Sequence, residues 1–477
     1  DLDGRGAARA IRAMADIARL DPGITPAGED AWRALVAKTL GDKPFESLTK
    51  STVEGLQIAP LYAASDKPAG FPVRPFDSER PWDVRTLSAQ PDPARVNADL
   101  LADLEGGAAS VIVKGHATAD ALARALKDVI VELAPVGLDA GFLGAKAADA
   151  LHAVAKSSPG AKLNFHMDPL SAFAEAGASP GPVESHLVSC ATVAARHAQT
   201  YPQAQLFLAS GRVAHEAGGG EALEVAVAAT AAIAYAKALV RAGLPADEAF
   251  ARITLGLAAE GDYFLTLAKL RAARVVFARI ATASGGKPQA RVEARTSRRM
   301  LTAQDPWTNM IRLTAAGFGA AAGGADAVVL GNFTDALGLP TAFARRQSRN
   351  TQLVLMEEAG VGRVADPAAG AGYIESLTDQ IARAAWTKLQ AIEAAGGIIA
   401  ALEKGLVARE VGKAVESRGD PKILGVTAFP PTDKQAVEVE PGKPAELDAA
   451  VARLPGPEGR CPALKAMRIS EKHEVAA

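Results

Sequence analysis

The chain has 477 residues with 52 basic and 54 acidic side chains. Its formal net charge of −2 lacks the positive excess expected for binding nucleic acid or an anionic membrane. Two cysteines, Cys190 and Cys461, exclude a disulfide framework and favour a reducing compartment. No charge-free apolar run of about 18 residues predicts a membrane span, and no signal peptide is recognisable. We therefore expect a cytoplasmic protein with neither nucleic-acid nor membrane partners.

The first 95 residues combine a helical pattern with a proline-rich stretch. Apolar residues recur at helical spacing between Ile11 and Leu20, whereas eight prolines between residues 41 and 95 forbid a long helix. Large side chains in this stretch need a surface that buries them. Residues 1–95 are therefore predicted to be an N-terminal helix and an extended dimerisation arm. The predicted partner contacts of this arm are Phe45, Leu56, Tyr62 and Trp82.

Residues 96–405 alternate between short β-prone apolar runs and helical runs. Alternation of this kind over eight repeats predicts a closed parallel (β/α)8 TIM barrel, in the α/β class. An open doubly wound sheet is the alternative, but its glycine-rich fingerprint is not convincing in this chain. Helices are predicted at 222–241, 264–281, 306–321 and 373–395. The predicted strands are 110–114, 140–145, 162–168, 204–211, 252–258, 291–297, 325–332 and 362–370.

Residues 406–477 lose this alternation and become rich in proline, glycine and charges of both signs. Prolines and glycines in such density interrupt regular elements. The segment is predicted to be an extended, linker-like tail with a short helix near 444–453.

The stretch Ser210–Leu223, SGRVAHEAGGGEAL, places a histidine beside a glutamate and then three consecutive glycines. His215 and Glu216 offer an acid–base pair. If the preceding strand continues through them, however, their side chains point to opposite faces, which favours a structural or interface role. Gly218–Gly220 offer a phosphate cradle at a helix N-terminus, but the glutamates in the following turn would repel phosphate, so a structural loop is favoured.

Two further groups of residues have both a functional and a structural interpretation. His166 and Asp168 end a predicted strand, where barrel enzymes place catalytic groups, although a histidine packed beside an acid is common in protein cores. Arg345, Arg346 and Arg349 form either a solvated face or a set of ion pairs with a partner. The spacing of the cysteines and histidines fits no standard zinc pattern, so no metal site is predicted.

Several segments resemble the adenosylcobalamin-dependent methylmalonyl-CoA mutase family. They are LTKSTVEGLQIAPLY (48–62), RPWDVR (80–85), AKLRAAR (268–274), LTAQDPWTN (301–309), ALGLPT (336–341), RNTQL (349–353) and ADPAAGAGYIESLT (365–378). The resemblance extends from about residue 45 to 430 and preserves the order of the blocks. It implies a barrel that holds an acyl-CoA along its axis beneath a separate cobalamin-binding domain.

The chain departs from the catalytic pattern of that family at the end of the predicted strand 204–211. The family pattern Ser-Gly-Tyr-His-Met-Gln-Glu-Ala-Gly aligns with residues 210–218, so Arg212 replaces the tyrosine and Val213 the substrate-contacting histidine. His215 stands in the position of the glutamine. RTHSQTSGW becomes RTSRRM (295–300), and the D-x-H-x-x-G motif that ligates cobalamin is absent. The site at Arg212, Val213 and His215 is therefore interpreted as degenerate.

The resemblance is closest to the small, non-catalytic subunit of a heterodimeric methylmalonyl-CoA mutase, which interconverts methylmalonyl-CoA and succinyl-CoA. It implies that this chain binds no cofactor, and that a larger catalytic subunit carries the adenosylcobalamin and the acyl-CoA. One alternative is a catalytic barrel whose cobalamin domain lies on another polypeptide. A second is a barrel with reassigned acid–base chemistry at His166, Asp168 and His215. An open barrel axis would favour either alternative over the non-catalytic interpretation.

Overall fold

The computed structural model describes residues 28–62, 70–433 and 436–474. The helical pattern predicted between residues 11 and 20 lies outside them. Residues 28–51 and 57–60 belong to a small N-terminal unit. It contains helix α1 (Glu29–Leu40), a 3-10 turn (Phe45–Leu48) and a hairpin that pairs Lys50–Ser51 with Gln57–Ile58. Trp32 packs edge-on against Phe45 at 5.7 Å between ring centroids, and α1 buries none of its residues.

The rest of the described chain forms a closed barrel of eight parallel strands in chain order, which confirms the predicted TIM barrel. The strands are β1 (Asp83–Ser88), β2 (Ser110–Lys114), β3 (Val136–Asp139), β4 (Leu163–Met167), β5 (Gln205–Ser210), β6 (Ile253–Ala259), β7 (Arg291–Thr296) and β8 (Ala327–Val329). Strand β1 closes the barrel by pairing with β8 as well as β2. Helices cover the outer face and side chains fill the interior, so most strand residues are buried.

Two predicted strands are wrong, and the barrel's first strand was missed. The third strand is Val136–Asp139, whereas residues 141–143 form a 3-10 turn that leads into a helix. Residues 362–370 form turns and no strand. The strand that completes the set of eight is instead β1, Asp83–Ser88, which lies inside the predicted arm, so the predicted boundary at residue 96 is too late. Its alternating charged residues, Asp83 and Arg85, are atypical of a buried strand.

Helices follow the strands around the barrel. They are α2 (Pro93–Glu105), α3 (Ala119–Ala125), α4 (Gly144–Ala155), α5 (Pro169–Ala176), α6 (Val183–Thr200), α7 (Arg212–Glu216), α8 (Glu221–Arg241), α9 (Ala246–Ala251), α10 (Tyr263–Ala283), α11 (Asn309–Ala322), α12 (Ala342–Leu353), α13 (Gly372–Ala394), α14 (Ile398–Glu403) and α15 (Leu406–Arg418). A π-helical turn, Val354–Glu358, follows α12. By length and composition α8 resembles a membrane span, but 78% of its apolar window is buried, as in a core helix.

The C-terminal tail lies across the carboxyl ends of the strands. Its first part is helix α15, and the helix predicted near 444–453 is a single 3-10 turn, Ala449–Ala452. The remainder is extended and docks by backbone hydrogen bonds, from Ala445 N to Ala89 O at 2.7 Å and from Leu464 N to Ala174 O at 2.8 Å. This end of the barrel is therefore covered by the chain's own tail.

Candidate functional site at the carboxyl end of the barrel

Charged side chains cross the interior of the barrel. Arg295 on β7 donates to Glu293 Oε1 at 2.7 Å and to Asp139 Oδ2 at 2.8 Å. Arg85 on β1 donates to Glu293 Oε2 at 2.6 Å and to Asp83 Oδ2 at 2.6 Å. Strands β3 and β7 stand on opposite sides of an eight-stranded barrel, so the bond between Arg295 and Asp139 spans the axis. We call this group, Asp83, Arg85, Asp139, Glu293 and Arg295, the axial network.

The charges of the axial network are compensated within the network and by Lys114 beside it. Burial alone would raise the pKa of Glu293, but Arg295, His166 and Arg85 lower it below its usual range. The pKa of Asp139 is likewise lowered by Lys114 and Arg295 against the effect of burial. Two guanidinium groups and the Lys114 ammonium thus face three carboxylates. Such pairing is what allows charges to persist in a core.

The axial network separates two cavities. A cavity of about 350 Å³, the upper cavity, lies at the carboxyl ends of the strands, and its lining includes Asp139, His166 and Arg295. A cavity of about 570 Å³ lies at the amino ends, and its lining includes Arg85. Glu293 bridges Arg85 and Arg295 between the two. No acyl-CoA chain can run along the axis without displacing these ion pairs.

His166 stands on the axis in a strained backbone conformation. Its φ is +47°, in the left-handed region, and the pairing of β4 with β5 shifts register between Asn164 and Met167. Its Nε2 lies 3.7 Å from Glu293 Oε2. Burial lowers the pKa of His166 to about 4 although Glu293 raises it, so the ring is neutral at pH 7.

The structure does not join His166 and Asp168 as an acid–base pair. Asp168 caps α5 by accepting from Ser171 N at 3.1 Å, and it accepts the hydroxyl of Tyr235 at 2.5 Å. Burial raises the pKa of Asp168 to about 6. Both residues line the upper cavity, but no hydrogen bond or ion pair joins them among the described residues.

The stretch that contains His215 and Glu216 is helical, which corrects the prediction of a continuing strand. Helix α7 begins at Arg212, directly after β5. A helical turn lets both neighbours approach one hydroxyl: His215 Nε2 lies 3.0 Å from Ser297 Oγ, and Glu216 Oε2 lies 3.4 Å from the same atom. The expected divergence of His215 and Glu216 is therefore wrong. Val213 lines the upper cavity.

His215 belongs to a buried ionic cluster beside the barrel axis. Its Nδ1 lies 3.0 Å from Glu224 Oε2, which also accepts from Lys269 Nζ at 2.7 Å. Ligand atoms of His215, Glu221 and Glu260 lie within 4.8 Å of one another, so these three residues are the group that offers metal ligands among the described residues. Glu260, however, is already held by Arg299 through an Nε donor at 3.1 Å and an Nη2 donor.

The glycine-rich loop before α8 receives a carboxylate of this chain. Glu54 accepts from Ala222 N at 2.7 Å and from Leu223 N at 3.0 Å, the free amide groups at the N-terminus of α8. A Cβ at Gly220 would lie 2.4 Å from Glu54 Cδ, so the close approach requires glycine there. The structural interpretation of Gly218–Gly220 fits this geometry, since Glu54 occupies the place that a phosphate would take.

Three of the predicted partner contacts are buried in this chain, so the prediction is wrong for them. Trp82 is 2% exposed and its Nε1 donates to Gln352 Oε1 at 3.3 Å. Arg345 and Arg349 both pair with Asp103 on α2. The other four contacts stay predictions: Arg346 is exposed, and Phe45, Leu56 and Tyr62 are partly buried.

The sequence was compared with known protein families and with curated proteins. The family model described as Methylmalonyl-CoA mutase matches residues 118–454. The methylmalonyl-CoA mutase small subunit of Streptomyces virginiae is 38% identical over 467 residues, covering 89% of this chain and 75% of that protein. This chain belongs to the methylmalonyl-CoA mutase family. The small subunit of Propionibacterium freudenreichii subsp. shermanii is 35% identical over 456 residues, which cover 87% of this chain and 70% of that protein. The probable small subunit of Mycobacterium tuberculosis is 37% identical over 438 residues, which cover 85% of this chain and 70% of that protein.

Mutases of this family depend on cobalamin, but the described residues do not fit that cofactor at the carboxyl end of this barrel. Pro444, Leu464 and Ala466 of the tail line the upper cavity, and Met467 N donates to Glu216 O at 2.9 Å. A corrin ring over this end would have to displace the docked tail.

Sequence reasoning missed the axial network, the most distinctive feature of this mutase barrel. Asp83 and Arg85 are spaced by two residues, as are Glu293 and Arg295. Residues at this spacing share one face of a strand. Two charged pairs at this spacing, one in each of two barrel strands, indicate a charged axis. Strands were predicted from apolar runs alone, so these pairs were not recognised.

Proposed function

We propose that this chain is the small subunit of a heterodimeric methylmalonyl-CoA mutase and has no catalytic activity of its own. A larger partner subunit carries the adenosylcobalamin, binds the acyl-CoA and performs the interconversion of methylmalonyl-CoA and succinyl-CoA in the cytoplasm. The role of this barrel is to stabilise that partner. The proposal extends the family membership by assigning the chemistry to the partner.

The observation that carries the proposal is the filled axis. The bond between Arg295 and Asp139 reaches from one side of the barrel to the other, and Glu293 joins Arg295 to Arg85. Opening a path for a pantetheine chain requires separating buried ion pairs, and breaking one such pair costs about 3–5 kcal/mol. In a barrel that binds acyl-CoA at each turnover, these buried ion pairs would have to break each time the substrate enters.

The upper cavity supports the same conclusion. Val213 lines it where the resemblance places a substrate-contacting histidine, and a valine side chain offers no hydrogen-bond donor. The alternative acid–base chemistry requires a pair of His166 and Asp168, but Asp168 is hydrogen-bonded to Tyr235 and Ser171 and not to His166. His215 is enclosed among Glu224 and Ser297. No observation favours a second function.

The N-terminal unit offers a surface for the partner. Helix α1 buries none of its residues, and Leu35 is 64% exposed. A helix of 12 residues is marginal in water without packing of its apolar side chains. We expect residues 28–51, with Phe45 among them, to dock on the larger subunit.

Co-expression with a candidate larger subunit tests the proposal. The chain alone should show no rearrangement of methylmalonyl-CoA, whereas the co-purified complex should be active. A second arm uses Val213→Phe, which reduces the upper cavity of this chain. If the partner performs the chemistry, the complex with this variant keeps its kcat. Loss of kcat in a correctly folded Val213→Phe complex would place the chemistry in this barrel and reject the proposal.

A further inference from the structure

The polar lining of the upper cavity has more unpaired buried donors than unpaired buried acceptors, since only one ring nitrogen of the neutral His166 can accept. Among the described residues that line it, five side chains carry buried nitrogen atoms without a hydrogen-bond partner. They are Gln90 Nε2, both ring nitrogens of His166, Arg212 Nε, Arg295 Nη2 and Arg345 Nε. No lining oxygen among the described residues is in that position. Unpaired buried polar groups are costly, so such an imbalance points to a ligand that supplies acceptors.

Six carboxylates line this cavity; five of them accept hydrogen bonds from described residues, and the sixth, Glu175, is exposed. Asp139 accepts from Arg295 at 2.8 Å, and Asp168 accepts from Tyr235 at 2.5 Å. Asp335 accepts from Asn332 N at 2.9 Å, and burial raises its pKa. Glu216 accepts from Arg298 N at 3.3 Å. These oxygens therefore accept no hydrogen bond from the unpaired nitrogens.

Arg212 supplies the charge that selects the ligand. It begins α7 directly beneath the cavity and makes no ion pair within 4.0 Å with a described residue. Burial and the neighbouring Arg295 lower its pKa although Glu216, Asp139 and Glu293 raise it, and its Nε, which is buried, has no hydrogen-bond partner. An anion in the cavity would provide one. Guanidinium groups favour planar carboxylates, to which they can donate in a bidentate manner.

The apolar part of the lining indicates that the ligand also carries an apolar group. Leu87, Leu138, Leu208, Val213 and Leu330 contribute to the wall. A volume of about 350 Å³ is at the small end of ligand cavities. We propose that the upper cavity binds a free short-chain carboxylate, with its carboxylate group on Arg212 and Arg295 and its alkyl chain against the leucines. The axial network closes the barrel below this site, so the ligand would enter without a coenzyme chain along the axis.

Titration of the isolated full chain with sodium butyrate, acetate and inorganic phosphate at matched ionic strength tests this inference. Isothermal calorimetry should show saturable, one-to-one binding of butyrate, weaker binding of acetate and none of phosphate. Arg212→Gln should weaken butyrate at least about tenfold, the size expected for losing a charge-assisted hydrogen bond. The matched control is Arg346→Gln, at an exposed arginine outside the cavity, which should leave binding unchanged.

Absence of saturable butyrate binding by the wild-type chain would overturn the inference. Equal binding of phosphate would reject the carboxylate class, and equal weakening by Arg346→Gln would reject the site. If Arg212→Gln does not fold, a crystal of the wild-type chain soaked in butyrate decides instead, since density in the cavity supports the site and density elsewhere or none rejects it. None of these outcomes depends on mutase activity, so the proposed function is tested separately.

Discussion

Glu293 is the residue on which the closed axis of this barrel depends most. It is fully buried and receives donors from both Arg85 and Arg295, so it links strand β1 with β7 across the interior. A single carboxylate between two guanidinium groups lowers the cost of burying both. Removing it leaves two buried positive charges that each retain a single carboxylate, Asp83 or Asp139.

We therefore expect Glu293→Gln to lower the free energy of unfolding by about 3–5 kcal/mol, the usual cost of breaking one partner of a buried ion pair. Urea unfolding followed by circular dichroism measures the change. The control is Asp379→Asn, which removes the partner of Arg383 in a surface i,i+4 pair and should have no measurable effect. If the Glu293→Gln chain is as stable as the wild type, the buried arginines do not depend on Glu293 for charge compensation, and the prediction is wrong.

His166 predicts how stability depends on pH. Burial lowers the pKa of His166 to about 4, and an unfolded histidine titrates near 6.5. Between these values the unfolded chain binds a proton that the folded chain does not, so stability falls as pH falls from 6.5 to 4. The share of His166 is on the order of 3 kcal/mol.

His166→Gln should remove that share. Unfolding free energies measured by urea at pH 7.5, 6 and 5 should fall less steeply in the variant than in the wild type. The lowered pKa of His215 acts in the same direction and stays in both curves, so the comparison isolates His166. Parallel curves for the two chains would contradict the assignment.

At the scale of elements, the arm has two parts with different roles. Glu54 caps α8 of the barrel, and the ring of Tyr62 lies 5.4 Å from that of Tyr373, so this part of the arm serves its own barrel. The N-terminal unit with α1 has an unburied surface. A deletion that removes both parts would confuse the loss of a partner contact with the loss of a cap.

Deletion of residues 1–48 should leave the barrel's melting temperature unchanged but weaken association with the larger subunit. Burying one leucine or phenylalanine side chain contributes roughly 1.5–3 kcal/mol, so we expect at least about a tenfold loss of affinity, measured by calorimetry or surface plasmon resonance. The complementary variant, Glu54→Ala, should lower barrel stability by about 0.5–2 kcal/mol and leave affinity unchanged. Undiminished affinity of the truncated chain would move the interface to the barrel helices.

At the scale of the whole molecule, the alternation of strands and helices was sufficient to predict the barrel, and six strands lie within a few residues of their predicted places. The strand at Asp83–Ser88 was not recognised because its inward face is charged, and a charge is compatible with a barrel interior only when other strands supply partners. Such pairing depends on the tertiary structure and cannot be deduced from the local sequence. The convergence of His215 and Glu216 on Ser297 was missed for a local reason, since one residue after β5 the chain turns into a helix.

The filled axis also predicts the outcome of repairing one residue. Val213→His restores an imidazole to the wall of the upper cavity but leaves Arg85, Glu293 and Arg295 across the path of the coenzyme. Residues that act as a unit do not contribute additively. We expect no rearrangement of methylmalonyl-CoA by this variant above the wild-type background in a coupled assay. A rate above that background would show that the axis opens.

Binding of the family's ligands to the purified chain tests the central claim most directly. Titration of the chain without its partner should show no change in the visible spectrum of adenosylcobalamin and no calorimetric binding of methylmalonyl-CoA, since the tail covers one end of the barrel and the axial network closes its interior. Stoichiometric binding of either ligand in the micromolar range would contradict the account and identify this barrel as a catalytic one.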